Sequence, residues 1–478
     1  MTKRVLAWAL LIGFVLLLLN ILMIHYEIII SFGIYVAVIA IFYLYKNFSK
    51  SKENEDSFIY FKFGFGKGFK QFRIKEENII MELKQNKVEF DLTGSKEVTR
   101  AINNPIGTQR LSKIVHPGEK VAIVTSDITR PMPSSLVLPI VIQELTDAGI
   151  KLEDITVVFA LGSHRKQTEE ERKYIVSEEI FSKVKCIDSD PDVCIHLGSS
   201  NNGTPIDIFE TVANADRRIC LGNIEFHYFA GYSGGAKALM PGVSSRAAIQ
   251  ANHSGMVKNE AKAGELDSNP VRIDIEEVVK FVPIDFILNV VLDEDKNIIK
   301  AVAGHYVEAH REGCRFLDKL YKIQIPERAD IVVTTPGGYP KDINLYQAQK
   351  ALDNSKHAVK EGGIIILLAS CNEGLGEEVF ERWMLAAKSP ESLVDDIQKN
   401  FELGGHKAAA IALVLQKARI FLVSDLEKEF VKSLFMEPFA DMNSALYTAF
   451  NELGENAKVI LMPHGGSTLP YLDFEINM

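Results

Sequence analysis

Short apolar, β-branched runs alternate with helix-like stretches along most of this 478-residue chain. In the first half, three strand-like runs cover residues 120–127, 154–164 and 217–227. The stretch 134–149 between the first two begins with serines and ends at a glycine, as a helix does. Such alternation is typical of an α/β domain with a mainly parallel sheet. The hairpin-like segment 284–304, with its charged turn, is expected to close this first domain.

The second half repeats the pattern with four further strand-like runs separated by helix-like stretches. We therefore predict an α/β fold of two domains with mainly parallel sheets, an N-terminal domain over residues 58–325 and a C-terminal domain over residues 326–478. A cleft between two such domains is a natural place for a ligand. The four strand-like runs are residues 330–335, 362–370, 418–425 and 457–463.

The N-terminus differs from the rest of the chain. Residues 5–24 carry no charged side chain, and about 20 apolar residues suffice to span a hydrocarbon core of ~30 Å. A second apolar run, residues 28–45, follows after three residues, so we predict a transmembrane helical hairpin over residues 1–46 and a polar tether over residues 47–57. A cleaved signal peptide is disfavoured, because no A-x-A-like site follows the first run and the second run would remain.

Basic residues flank both ends of the apolar region. The positive-inside rule then places both ends of the hairpin in the cytoplasm. The chain is accordingly expected in the cell membrane, with its folded domains facing the cytoplasm.

Charge and cysteine content exclude two further classes of protein. The net charge of −10 at pH 7 gives no general attraction to phosphates, so nucleic acid is not expected as a partner. The five cysteines are scattered and form no C-x-x-C pair, which argues against a disulfide framework or a cysteine-type zinc site.

The strands predicted in the first half end at polar residues. Asp127 follows the first strand, His164 the second and His227 the third, and a glycine-rich loop with Lys237 comes shortly after. Ligands of open α/β sheets bind at the carboxyl ends of the strands. These side chains are therefore expected to converge on one crevice.

Several of these residues also have a purely structural explanation. Asp127, Thr129 and Arg130 can form a turn beside a proline. His164 can lie in solvent at a helix start, since acidic residues follow it.

The remaining candidates are no more specific when taken one by one. His227 lies beside two aromatic residues and can be a hydrogen-bonded core residue, and His253 can lie on a helix surface. The spacing from His227 to Lys237 to His253 matches no established zinc motif, so the residues alone indicate a metal site only weakly. Apart from His464, which stays a candidate, the other histidines are interpreted as structural or surface residues: His116, His196, His305, His310, His357 and His406.

Five segments carry a more specific signal, because together they resemble the nickel-dependent lactate racemase family. They occur in the family's order, and the likeness extends from about residue 63 to residue 470, so it covers nearly all of the chain except the apolar N-terminus and the tether. The segments are SDITRPMPSS (126–135), ALGSHRKQTEEE (160–171), GNIEFHYFAGYSGGAKALMPGV (222–243), ANHSGM (251–256) and GGYPKDINLYQAQKAL (337–352).

The resemblance implies a cofactor, nickel(II) pyridinium-3,5-bisthiocarboxylate mononucleotide, called the nickel-pincer nucleotide. In this family a lysine of the glycine-rich loop is joined to it through a thioamide, and the matching residue is Lys237. The metal-ligating histidine falls on His253, and a neutral imidazole is a suitable nickel donor. Contacts to the cofactor are implied for Asp127, Ile128, Thr129 and Arg130.

The resemblance also implies an activity, the inversion of C2 of a 2-hydroxy acid such as lactate, with hydride passing to the cofactor and back. His164 and His227 match the family's acid–base pair in the N-terminal catalytic and cofactor-binding domain. Gln347 and Lys350 match its substrate-binding pair, so the C-terminal domain would complete the substrate site. The implied partners are a small 2-hydroxy acid, the proteins that mature the cofactor, and the membrane through the hairpin.

Two other functions are left open. Lys237 could instead form a Schiff base with pyridoxal phosphate, whose phosphate a glycine-rich loop can also bind. The chain could also be a membrane-tethered binding or sensing module of the same fold, although such a module would have no need of both acid–base histidines.

Overall fold

The computed structural model describes residues 14–19, 22, 32–33, 35–37, 39–40 and 57–472. The chain divides into two compact units, Met1–Ile59 with Ile74–Glu77 and Tyr60–Arg73 with Asn78–Met478. Within the first unit, the rings of Phe14 and Tyr35 lie 6.0 Å apart.

The predicted transmembrane hairpin over residues 1–46 is corrected by the structure. Among the described residues, no helix is both long and apolar enough to cross a membrane. Residues 1–13, 20–21, 23–31, 34, 38 and 41–46 of the predicted hairpin and residues 47–56 of the tether lie outside the described residues.

The predicted location in the cell membrane, with the catalytic domains facing the cytoplasm, depended on that hairpin and is corrected with it. A run of apolar residues satisfies the length rule for a membrane span without showing that a continuous helix forms. The described residues supply no such helix.

The second unit contains a six-stranded sheet, the first sheet, built from the first half of the chain. Its neighbouring strands are parallel except for one antiparallel edge pair, which confirms the hairpin predicted at 284–304. The central strands are almost wholly apolar and buried, as expected where both faces of a parallel sheet are covered. In spatial order the strands are Ile298–Gly304, Phe286–Leu292, Arg217–Asn223, Val121–Ser126, Ile155–Ala160 and Lys185–Asp188.

Helices connect the strands of the first sheet, and local sequence explains where several of them begin. Thr168 and Glu171 form a reciprocal capping box at the start of the helix Glu169–Val176, where the acidic run had predicted a helix start. The helices of this part are Gly94–Asn103, Ser134–Asp147, Glu169–Val176, Glu178–Lys183, Glu210–Ala213, Arg246–His253, Pro270–Glu277 and Glu308–Tyr321.

A second six-stranded sheet is parallel throughout and has its own apolar core. Its strands are, in spatial order, Glu437–Phe439, Arg419–Val423, Val359–Leu368, Ala329–Thr334, Val459–Met462 and Ile79–Glu82. Its helices are Leu345–Ser355, Glu378–Ala386, Pro390–Lys399, Gly405–Leu415, Lys428–Ser433 and Met442–Leu453.

Short elements complete the described fold. Four strand pairs are Phe58–Phe65 with Gly68–Lys75, Cys194–Ser199 with Pro205–Phe209, Phe226–His227 with Gly231–Tyr232, and Lys322–Gln324 with Leu469–Tyr471. The 3₁₀ helices are Glu76–Asn78, Leu111–Lys113, Leu152–Asp154, Gly235–Ala238, Ser254–Val257 and Val278–Lys280.

Two α/β layers with parallel sheets therefore agree with the predicted fold class. The edge strand Ile79–Glu82 pairs with Val459–Met462, so an early segment of the chain completes the second sheet. The domain boundaries placed at 58–325 and 326–478 stay a prediction.

Candidate active site

An open cavity lies at the carboxyl ends of the central strands of the first sheet. Its wall also includes Phe401, Leu403 and His406 from the second half of the chain. The convergence expected from the strand ends is therefore found in the folded chain. Six residues singled out from the sequence line this cavity: Asp127, Arg130, His164, His227, Lys237 and His253.

Asp127 and His164 follow neighbouring parallel strands and form a hydrogen-bonded pair. His164 Nδ1 lies 2.7 Å from Asp127 Oδ2, and Asp127 is almost fully buried. The Thr129 hydroxyl donates to the other carboxylate oxygen at 2.8 Å. Because a carboxylate only accepts, the neutral form of His164 carries its proton on Nδ1 and its lone pair on Nε2.

The turn that follows Asp127 is held by main-chain hydrogen bonds. The Ile128 N–H donates to Gln167 Oε1 at 2.8 Å, and the Arg130 N–H donates to the Asp127 carbonyl at 3.2 Å. The Arg130 side chain is exposed and has no hydrogen-bond or ion-pair partner among the described residues. The turn proposed on structural grounds is thus present, and it leaves a free guanidinium at the cavity.

His227 has the opposite hydrogen-bonding pattern. Its Nδ1 accepts the Ala230 N–H at 3.2 Å, so the proton of the neutral ring is on Nε2. Burial holds the pKa of His227 well below its usual 6.5, and the positive charge of Arg130 adds to this effect. The ring packs edge-on against Phe229 at 4.5 Å between centroids. His227 is therefore neutral at pH 7.

Lys237 lies in the 3₁₀ turn Gly235–Ala238, after a loop that requires glycine. Gly234 has φ 75°, and a Cβ there would lie 2.8 Å from Asn289 Oδ1. The Lys237 Nζ is 5.9 Å from the centroid of the Phe229 ring. Burial, followed by the charges of Arg272 and Arg130, lowers the pKa of Lys237 well below its usual 10.5.

His253 ends the helix Arg246–His253 and is buried at the cavity wall. Its Nδ1 lies 3.0 Å from Asn252 Oδ1, an acceptor, so Nε2 keeps its lone pair. The ring lies between Phe229 at 4.9 Å and Phe401 at 5.1 Å. Burial keeps the pKa of His253 well below 6.5, so the ring is the neutral form that binds metals.

A metal ion at this site would need donors from outside the protein. In the part of the chain that the structure describes, no group of three or more His, Cys, Asp or Glu side chains could hold a metal ion. His253 offers one nitrogen. A transition metal bound here therefore requires a ligand that brings its own donors.

Gln347 and Lys350 lie away from this cavity. They are exposed, three residues apart on the helix Leu345–Ser355, whose Asn344 cap accepts the Gln347 N–H at 3.0 Å. Lys350 is nonetheless close enough to Lys407 to oppose its protonation. Burial, then Lys350, then Arg130 hold the pKa of Lys407 well below 10.5.

His406 is the cavity residue that the sequence interpretation missed. It stands near the start of the helix Gly405–Leu415, and its ring lies 6.2 Å from Tyr228. Burial, then the Lys407 and Arg130 charges, lower the pKa of His406 to about 3. The sequence feature that could have identified His406 as a cavity residue is its place directly after two glycines at a helix start. This feature is too common to be specific.

Two stretches of the chain match domains of one known family. Residues 65–264 match the Lactate racemase N-terminal domain, and residues 325–469 match the Lactate racemase C-terminal domain.

Individual proteins give the same result. The lactate racemase of Thermoanaerobacterium thermosaccharolyticum is 34% identical over 417 residues, which are 85% of this chain and 97% of that protein. The lactate racemase of Lactiplantibacillus plantarum is 33% identical over 384 residues, 78% of this chain and 90% of that protein.

Solved structures extend the likeness to the fold. The lactate racemase apoprotein of Thermoanaerobacterium thermosaccharolyticum has a TM-score of 0.78 at 32% identity, covering 86% of this chain and 100% of that one. A protein of Thermotoga maritima has a TM-score of 0.57 at 17% identity over 80% of this chain and 100% of that one, which shows a shared fold alone.

Proposed function

The chain belongs to the lactate racemase family and is an isomerase, and on that premise we propose that it inverts C2 of a 2-hydroxy acid, lactate or a close relative, with a nickel-pincer nucleotide joined to Lys237. One observation carries the proposal. Lys237, His253 and the two differently hydrogen-bonded histidines His164 and His227 line one cavity.

The residues at the cavity fit this cofactor. Lys237 presents an amine whose protonation is disfavoured, and His253 offers one imidazole nitrogen where the protein alone cannot complete a metal site. Gly234 and Gly235 line the wall, and no side chain extends from these two positions. When bound, the cofactor supplies an acceptor and donor for the C2 hydride.

The two histidines supply the proton transfers of the proposed reaction. His164, with Nδ1–H directed to Asp127, accepts the hydroxyl proton at Nε2. His227, with Nε2–H, donates a hydrogen bond to the C2 oxygen. To give a proton to the product, His227 first takes one up from solvent and reacts as the imidazolium, while His164 releases to solvent the proton that it accepted. The C2 hydride is returned in the same turnover, so no net oxidation occurs and no nicotinamide cofactor is consumed.

Positive side chains account for binding of the acid. Arg130 has a free guanidinium that can form paired hydrogen bonds with a phosphate or carboxylate group of the cofactor. Gln347 and Lys350 share one helix face and are proposed to bind the substrate carboxylate. Attachment of the cofactor is proposed to depend on separate maturation proteins.

The proposal is tested on protein from a host that makes the cofactor. We expect a thioamide-linked adduct on the Lys237 peptide by mass spectrometry, bound nickel, and racemisation of L-lactate or a related acid without NAD. A Lys237→Arg variant keeps a long nitrogen-bearing side chain but cannot form the adduct, and should lose nickel and activity together. A bare lysine, or a pyridoxal adduct removed by hydroxylamine, would contradict the proposal.

A further inference from the structure

Behind His253, a row of buried polar side chains leads away from the cavity. His253 Nδ1 lies 3.0 Å from Oδ1 of its neighbour Asn252, so the nitrogen left for a ligand in the cavity is Nε2. In the part of the chain that the structure describes, this Nε2 has no hydrogen-bond partner. The neutral ring can offer a lone pair there only while its proton stays on Nδ1.

Asn252 holds the proton on Nδ1 because its amide can take only one orientation. Its Nδ2 donates to the Asp274 carboxylate at 2.8 Å and to the Val271 carbonyl at 3.2 Å. Since a carboxylate and a carbonyl only accept, the amide nitrogen must face them and the amide oxygen must face His253. In the reversed orientation, the oxygen would oppose two acceptors and an N–H would face the ring.

Asp274 is itself held by a different segment of the chain. It is 3% exposed on the helix Pro270–Glu277, where the Thr204 hydroxyl donates to its Oδ2 at 2.7 Å and the Ser200 hydroxyl donates to its Oδ1. The Ser200 hydroxyl also accepts the Thr204 N–H at 3.2 Å. Every polar side-chain atom of Asn252 and Asp274 therefore has a partner, and a fully satisfied buried network favours one arrangement.

The aromatic contacts of His253 do not fix its nitrogens. Phe229 and Phe401 pack edge-on against the ring from two sides. Half a turn about the Cβ–Cγ bond would keep the ring between them but would exchange Nδ1 with Cδ2 and Nε2 with Cε1. The hydrogen bond to Asn252 is thus the contact that decides which ring atom faces the cavity.

We propose that Asn252 and Asp274 are positioning residues for the metal-binding histidine: Asp274 fixes the Asn252 amide, and Asn252 fixes the His253 ring with its lone pair on Nε2 toward the cavity. Hydrogen bonds to the other nitrogen of a metal-binding histidine set its tautomer and orientation. The inference rests on the proposed function for the presence of nickel, whereas the hydrogen bonding can be tested without a cofactor.

The tautomer of His253 tests the network on the full-length apoprotein. Protein labelled with ¹⁵N-histidine is studied at pH 8 by long-range ¹H–¹⁵N correlation NMR, which distinguishes protonated from unprotonated ring nitrogens. The His253 signals are assigned as those lost in a His253→Gln variant. We expect the proton on Nδ1 in the wild type and a gain of the Nε2–H tautomer in Asn252→Leu and Asp274→Asn.

Nickel release tests the consequence for the metal. Holoenzyme from a host that makes the cofactor is mixed with excess EDTA, and the nickel that stays bound is measured over time. Asn252→Leu should lose nickel about 10–100-fold faster than the wild type, with the Lys237 adduct still present by mass spectrometry. Asp274→Asn should act in the same direction with a smaller effect, because its amide can donate as well as accept and no longer fixes Asn252.

Asn78→Leu is the matched control for loss of a buried amide. Asn78 is 1% exposed, and its Nδ2 also donates twice, to the carbonyls of Glu455 at 2.8 Å and Ala457 at 3.0 Å. It stands beside the edge strand Ile79–Glu82 of the second sheet. This variant should lose stability in urea unfolding but keep the wild-type tautomer of His253 and the wild-type rate of nickel release.

Several outcomes would overturn the inference. They are a wild-type His253 with its proton on Nε2, an unchanged tautomer and nickel release in Asn252→Leu and Asp274→Asn, or equal acceleration of nickel release by Asn78→Leu. If Asn252→Leu does not fold, the wild-type tautomer and the isosteric Asp274→Asn still decide. Wild-type protein that takes up no nickel but shows the expected tautomers refutes the proposed function alone, and a nickel-bound racemase indifferent to both changes refutes this inference alone.

Discussion

At the scale of single residues, two histidines of one cavity differ in the partner of Nδ1. His164 Nδ1 faces the Asp127 carboxylate, while His227 Nδ1 accepts a main-chain N–H. The two rings therefore present opposite hydrogen-bonding capacities at Nε2. Such a pair is suited to accept the hydroxyl proton of a substrate at one ring and to donate a hydrogen bond to the substrate oxygen at the other.

Single replacement of His164 or His227 by alanine should reduce racemisation by at least about 10²-fold, because each ring supplies one proton transfer. The Lys237 adduct and bound nickel should remain. His253→Ala is the comparison variant, and it should lose nickel instead. Full racemisation by either acid–base variant would refute the two-histidine assignment.

Asp127→Asn tests the orientation of His164. An amide can donate as well as accept, so the neutral ring is no longer held with its proton on Nδ1, and we expect kcat to fall about 10²-fold with little change in KM. Thr129→Val removes only the 2.8 Å hydrogen bond to Asp127 and should have a smaller effect. A wild-type kcat for Asp127→Asn would show that the pair has no part in proton transfer.

At the scale of elements, the loop 230–235 connects the first sheet to the reactive lysine. Arg272, His310 and Asn289 bind it from the helices and the strand behind it. Its glycines at 231, 234 and 235 all have positive φ. The shape of the loop thus depends both on glycines, which lack a Cβ, and on buried side chains that form hydrogen bonds with its main chain.

Gly234→Ala should destabilise the protein by about 2–3 kcal/mol, combining strain at positive φ with a contact at 2.8 Å from Asn289 Oδ1. Gly118→Ala is the matched control, since Gly118 has φ 90° but nothing lies within 4 Å of the point that a Cβ would occupy there. It should cost about 1–2 kcal/mol from strain alone. Urea unfolding measures both, and equal losses would show that Gly234 has spare room.

At the scale of the whole molecule, buried neutral histidines make stability depend on pH. His227, His253, His310 and His406 all have a pKa below 6.5 in the folded state because of burial. In the unfolded chain they bind protons near pH 6.5. The unfolded state therefore binds more protons below that pH, and the free energy of unfolding falls as the pH decreases.

His406 gives the clearest test of this dependence, because its folded pKa is about 3. As the pH decreases from 6 to 4, the free energy of unfolding of the wild type should fall by up to about 1.4 kcal/mol per pH unit more than that of a His406→Asn variant. Urea unfolding at several pH values measures the slope. Parallel curves for the two proteins would show that His406 is already protonated in the folded state.

Much of the fold and part of the site follow from local sequence. The predicted strands 120–127, 154–164 and 217–227 contain the observed strands Val121–Ser126, Ile155–Ala160 and Arg217–Asn223. Runs of β-branched residues and their glycine ends carry that information within a few neighbours. Since parallel strands end at the same edge, the polar residues after them could be placed in one crevice from the sequence alone.

The tertiary structure decided the rest, because the relevant contacts join distant segments and leave no periodic trace in the sequence. The edge strand Ile79–Glu82 pairs with Val459–Met462, Arg272 binds a loop about 40 positions earlier in the chain, and His406 reaches the cavity from another layer. At the N-terminus, the length of the apolar runs was the basis for predicting a transmembrane hairpin, and that prediction was wrong. The sequence determined which chemical groups are available and on which strand ends they stand, while packing determined which of them share a cavity and how each is charged.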